Sequence, residues 1–191
     1  MSDDPFSPTA IRVAVALVAL LVVGIAVAGL VLTSGDEPVT GAAPSTTPAP
    51  RTGPVALVGV DAPDARTAPC TSLAKALPDT LPDSGKTLRR LEIADPAPPA
   101  AAAWGGDRGE PVVLRCGLSR PDELTPTTQL REISGVRWLP LEGDGATTWV
   151  VVDRPVYVAL TVPAGSGTGP LQKVTATVAD TLAATAVRAR G

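Results

Sequence analysis

Between Val13 and Leu32 the chain reads VAVALVALLVVGIAVAGLVL, twenty residues without a charge or a strongly polar side chain. At about 1.5 Å rise per residue the run spans about 30 Å as a helix, the thickness of the hydrocarbon core of a bilayer. Buried helices of soluble domains are shorter and amphipathic, so the run predicts one membrane crossing that divides the chain in two. Arg12 lies just before the run, whereas Asp36 and Glu37 follow it and no positive charge occurs until Arg51. The positive-inside rule then expects residues 1–12 in the cytoplasm, residues 13–32 in the membrane and the remainder outside. A cleaved signal peptide is the competing reading, with AVAG at Ala26 to Gly29 as its processing site. The apolar run is longer than the core of about 7 to 15 residues that such peptides carry, which favours an uncleaved anchor. Gly24 and Ala28 form a small-xxx-small pair, but a segment this rich in Ala and Gly contains such pairs by chance.

After the apolar run, residues 33–54 are dominated by Pro, Thr, Ser, Ala and Gly and cannot bury enough surface to order themselves, which predicts a disordered tether. Residues 55–191 are then an extracytoplasmic domain. VALVGV (Val55 to Val60) reads as β-rich and DAPDA as a turn. CTSLAKAL (Cys70 to Leu77) reads as a short helix capped by Thr71 or Ser72 that stops before Pro78. TLRRLEI (Thr87 to Ile93) and PVVLRC (Pro111 to Cys116) read as strands, with an alanine run between them that admits a short helix. Asp122 and Glu123 fit the start of a helix TPTTQLREI.

The clearest region is Gly135 to Pro163, where Val136 and Trp138, then Val156, Val158, Leu160 and Val162, recur at period two, so an antiparallel meander is expected. Leu171, Val174, Val178 and Leu182 recur at spacings of three and four, one stripe of a helix from Pro170 to about Val187. The fold class that follows is α+β, a two-layer domain whose mainly antiparallel sheet is covered by a C-terminal helix. The order β-α-β-β-α-β up to Pro140 also admits a ferredoxin-like core.

The chain has two cysteines, Cys70 and Cys116, and no histidine. In an oxidising compartment two thiols of one small domain pair, and a disulfide between these closes a loop worth about 4 kcal/mol by chain entropy. A metal site needs three or four ligands, which two distant cysteines without histidine do not supply; no metal and no cofactor is expected. A reactive thiol needs a base or a cationic neighbour, and Arg115, adjacent in sequence, points to the other face of a strand. Without histidine there is no Ser/His/Asp triad, which leaves SLAK, Ser72 to Lys75, as the one nucleophile–base spacing, a serine and an amine one helical turn apart. No S-D-N or K-T-G companion accompanies it, and a capping serine beside a solvated lysine is the plainer reading. GSGTG (Gly165 to Gly169) lies between a strand and a helix, where N–H groups could cradle a phosphate, but its spacing matches no nucleotide-binding motif. Trp104, Trp138 and Trp149 are core fillers or, alternatively, the wall of a ligand groove, with Trp104 and Trp138 its candidates. A net charge of −3 without a basic cluster excludes nucleic acid as a partner.

CTSLAKALP from Cys70, AAAWG at Ala101 to Gly105, PVVLRCG at Pro111 to Gly117, GVRWLP at Gly135 to Pro140 and DRPVYVALTVP at Asp153 to Pro163 resemble an actinobacterial family of exported proteins catalogued as domain of unknown function 3515. The resemblance runs from Cys70 to Leu182, leaving the apolar run and tether outside. It implies a membrane-anchored or secreted envelope protein with two cysteines and no established activity, so no catalytic residue carries over. Some members have a lipobox cysteine after the apolar run; this chain has none, which favours the transmembrane anchor. The expectation is therefore a single-pass cell-membrane protein whose extracytoplasmic domain is a non-enzymatic binding or accessory module for an envelope protein. The alternatives are a small hydrolase using Ser72 and Lys75, or an envelope small-ligand sensor.

Overall fold

The computed structural model describes residue 51 and residues 53–189. The expected transmembrane helix, residues 13–32, and almost all of the expected tether, residues 33–54, lie outside the described residues. Among the described residues no helix is long and apolar enough to cross a membrane. Arg51, within the expected tether, is held against the folded domain: its backbone N–H donates to Asp107 O (2.6 Å) and its guanidinium to Gly109 O (2.7 Å).

The elements, in chain order, are α1 (Ala68–Ala76), β1 (Thr80–Asp83), β2 (Lys86–Leu91), β3 (Ala101–Gly105), β4 (Val112–Leu118), β5 (Arg131–Ile133), β6 (Val136–Gly143), β7 (Ala146–Val151), β8 (Tyr157–Pro163) and α2 (Gly169–Thr181). All eight strands form one sheet in the order β1-β2-β3-β4-β8-β7-β6-β5, and every neighbouring pair is antiparallel. The expected meander β6-β7-β8 is present. A second one, β1 to β4, precedes it, and the two abut at β4 and β8. This order is not ferredoxin-like. Both helices lie on one face: α2 packs on α1 and on β1, β6 and β8. Touching β1 at one edge and β6 near the other requires the sheet to curl around the helices.

Alternation along the strands sorts the apolar residues between two clusters. Leu114, Cys116, Trp138, Val158 and Leu160 face the helices, together with Leu73 of α1 and Leu171, Val174 and Val178 of α2. Leu139, Val150, Val152, Tyr157 and Ala159 face the other way, where a two-layer domain would leave them in water. They are instead covered by chain without regular structure. The connection from β4 at the centre to β5 at the far edge, residues 119–130, crosses that face and contributes Leu124 and Leu130, and the C-terminal tail contributes Val187 and Ala189. The architecture is α+β with this thin third layer.

Several expected elements differ. Residues 125–130 are not helical: Thr128 Oγ1 donates to Glu123 O (2.6 Å) and accepts from Thr125 N (2.9 Å), so side-chain hydroxyls take the backbone groups a helix would need. Residues 131–133 form the edge strand β5 instead. The alanine run is β3, not a helix, because strands on both sides pair with it and Ala102 and Trp104 fill the core beneath the helices. β1 has no sequence signal of its own; Pro82 argues against a strand except at an edge, which is where β1 lies. α1 begins at Ala68 after Thr67, two residues before Cys70, and Thr67 makes no side-chain cap. α2 ends at Thr181 rather than near Val187; the tail then turns to the other face, where Thr185 N donates to Asp153 O (2.9 Å) and Arg188 lies over the Tyr157 ring. VALVGV is not a strand of the sheet. Only Val55 forms a bridge, parallel, with Ile93.

Candidate functional site

Cys70 and Cys116 form the expected disulfide, with Cα atoms 5.6 Å apart. The approach depends on Gly117, whose φ of +84° sits at a bulge where β4 shifts register against β8. Its carbonyl accepts from Asp64 N (3.0 Å), and a Cβ at Gly117 would lie 2.2 Å from Ala65 N. Only glycine lets the chain before α1 come down onto β4, which brings Cys70 over Cys116.

The candidate groove tryptophans are in the core. Trp104 and Trp138 are both fully buried on the helix side, and Trp104 Nε1 donates to Pro78 O (2.9 Å). Both rings are enclosed in the core, as the core-filler reading of them has it. Trp149 is half-buried and lines a small cavity of about 250 Å³ with Val162, Pro163 and Leu171.

Ser72 and Lys75 are both exposed on α1, with no hydrogen bond between them; Lys75 borders a shallow depression with Arg66 and Pro99 that Ser72 does not line. The GSGTG loop is already engaged, since Gly167 N donates to the Asp83 carboxylate and Gly169 packs on Pro82 O. An anion there would displace the protein's own carboxylate. Asp122 and Glu123 are exposed in the crossing connection. Among the described residues no group of His, Cys, Asp and Glu is arranged to hold a metal ion.

What sequence reasoning missed is a cavity of about 520 Å³ on the sheet face away from the helices. One wall is the irregular segment Ala56 to Ala62; the other is the proline-rich loop Ala94 to Pro99. Arg115 of β4 lies at its base, beside Cys116. In register with Arg115 stand Ala101 on β3 and Ala159 on β8, so the neighbours on both sides are small and the guanidinium is not overgrown. Arg115 forms no ion pair, and its Nη1 is buried without a hydrogen-bond partner. Burial pushes its pKa below the ordinary arginine value. Asp95 is the other charged residue lining the cavity. The exposed large apolar side chains of the described domain, Val58 at 80% and Val60 at 49%, are both on the first wall's segment. The signal available in sequence was the β-rich VALVGV run, which has too little polar spacing for a solvated loop.

A family model described as "Protein of unknown function (DUF3515)" matches residues 11–187. The chain belongs to this family. The match includes the apolar run and the segment after it, so membership extends well beyond the Cys70 to Leu182 stretch that carries the resemblance in sequence motifs. Comparison with curated proteins and with solved structures gives no match. The DUF3515 assignment names no activity, and the Arg115 cavity is the candidate site.

Proposed function

We propose that this DUF3515 chain is a single-pass, membrane-anchored protein of the actinobacterial cell envelope whose exported domain is a non-enzymatic binding or accessory module for an envelope protein. The observation that carries the reading is the back-face cavity lined by Val60, with Val58 exposed on the same segment. Two exposed valines on one segment beside a cavity of this size support a surface for a partner. Three features support the placement outside the cell: the charge-free run Val13–Leu32, Arg12 before it, and the disulfide. A photo-crosslinking residue at Val58, in cells also treated externally with protease, tests both parts. The expected result is a crosslink to an envelope protein and cleavage of the C-terminal domain in intact cells. A domain untouched by protease, or crosslinks only to cytoplasmic proteins, would overturn the reading.

A further inference from the structure

The Arg115 cavity has a chemistry more specific than apolar contact. A guanidinium offers five donors in a plane matched to a carboxylate, and a charged donor left without a partner in partly buried surroundings costs more than a neutral one does. Arg115 takes no part in the ion pairs Arg89–Asp107, Arg137–Glu132 and Arg154–Asp153, and its Nη1 is buried without a partner. Asp95 lines the same cavity, is not paired with Arg115, and is an acceptor in its own right. A fatty carboxylate would satisfy the cation but bring that acceptor no donor. A peptide brings both, because its amide N–H groups lie within a residue or two of its carboxylate.

The wall segment adds a second, independent observation. Val55 N donates to Glu92 O and Val55 O accepts from Ala94 N, but residues 56–61 make no backbone hydrogen bonds among the described residues. Their N–H and C=O groups are therefore free beside the cavity, as at a sheet edge that receives an added strand. Val58 and Val60 lie on the same segment and offer apolar contact.

We propose that this cavity receives an extended peptide segment presenting a carboxylate, which pairs with Arg115 while the peptide backbone runs along Ala56–Val60 and an amide N–H meets Asp95. The assignment rests on the binding-module reading and names the chemistry of its partner.

The test is isothermal titration calorimetry of the full chain in lipid nanodiscs, with empty nanodiscs as the blank. The probes are N-acetyl-Ala-Pro-Ala-Val as the free acid, the same peptide as its C-terminal amide, and octanoate. The acid is expected to bind at least about tenfold more tightly than either of the others. Arg115→Gln is expected to remove the difference between acid and amide, with its fold checked by near-UV circular dichroism. Val60→Glu, at an exposed position, places a competing carboxylate on the wall and is expected to weaken the acid by about tenfold, a larger loss than Val60→Gln causes by removing apolar contact alone. Equal binding of acid and amide, no binding of either, octanoate equal to the peptide acid, or indifference of the acid to both Arg115→Gln and Val60→Glu would each overturn the assignment. Those results leave the crosslinking and protease outcomes untouched, so the two proposals fail separately.

Discussion

Gly117 shows how one backbone angle fixes a distant covalent link. A side chain there would bear both the strain of φ +84° and an overlap with the backbone of Asp64 and Ala65. Left-handed strain costs about 1–3 kcal/mol and overpacking about as much again, so Gly117→Ala is expected to destabilise the domain by about 2–5 kcal/mol in urea unfolding. Gly106→Ala is the control: that glycine is exposed, with open space around its Cα, and its replacement is expected to shift stability by less than about 0.5 kcal/mol. Equal effects at the two positions would mean that the close approach at Gly117 carries no energy. Arg154, buried where Arg115 is half-buried, is better supplied: its Nη1 lies 2.9 Å from Asp153 Oδ1 and its Nη2 donates to Gly135 O, although its Nε, like Nη1 of Arg115, is buried without a partner.

Among the elements, the C-terminal tail has a role out of proportion to its irregularity. Its Val187 and Ala189 close the back-face cluster around Tyr157, and Thr185 bonds to Asp153 at the turn between β7 and β8. Half-burial of one valine and one backbone hydrogen bond together suggest that deleting residues 183–191 costs about 2 kcal/mol. Thermal unfolding and binding of a hydrophobic dye would check it, with a lower midpoint and more dye bound by the native domain expected; an unchanged midpoint would show the tail to be passive. The tail also marks the limit of what periodicity reveals. The stripe Leu171, Val174, Val178 and Leu182 identifies α2 correctly, and alternation from Val136 to Val162 identifies the meander, because both patterns report a single buried face. β8 is buried on both faces, so the identical pattern concealed the second cluster beneath Tyr157 and Ala159. Nor does periodicity see β3, where helix-favouring alanines are overruled by strands on either side, or the Arg115 cavity, which depends on Ala101 and Ala159 meeting across three strands. Pairing of the cysteines was legible because two thiols without a histidine leave few other roles, and the disulfide is present. Composition does not say which of the three tryptophans is enclosed, so core filler and groove wall stayed open in the sequence, and burial of Trp104 and Trp138 fits the first.

Across the whole domain, the sheet consists of two meanders joined edge to edge by the β4–β8 ladder, with the helix pair on one side and the crossing connection on the other also spanning the two halves. The disulfide acts at that seam, tying α1 to β4, the last strand of the first meander. It restricts the unfolded chain over a sequence separation of 46 residues, for which chain entropy gives about 4 kcal/mol. Because both sulfurs are buried, with Cys70 at 0% and Cys116 at 1%, the folded domain also shields the bond from exchange with soluble thiols. Two outcomes are therefore expected together. Native protein treated with mild reductant retains the disulfide, as read by thiol alkylation and mass, while the Cys70→Ala, Cys116→Ala double variant unfolds at lower denaturant by an amount equivalent to about 4 kcal/mol. Should the double variant be as stable as the parent, the β4–β8 ladder and the packing of α1 and α2 would by themselves hold the meanders together, and the cross-link would be needed only while the chain folds.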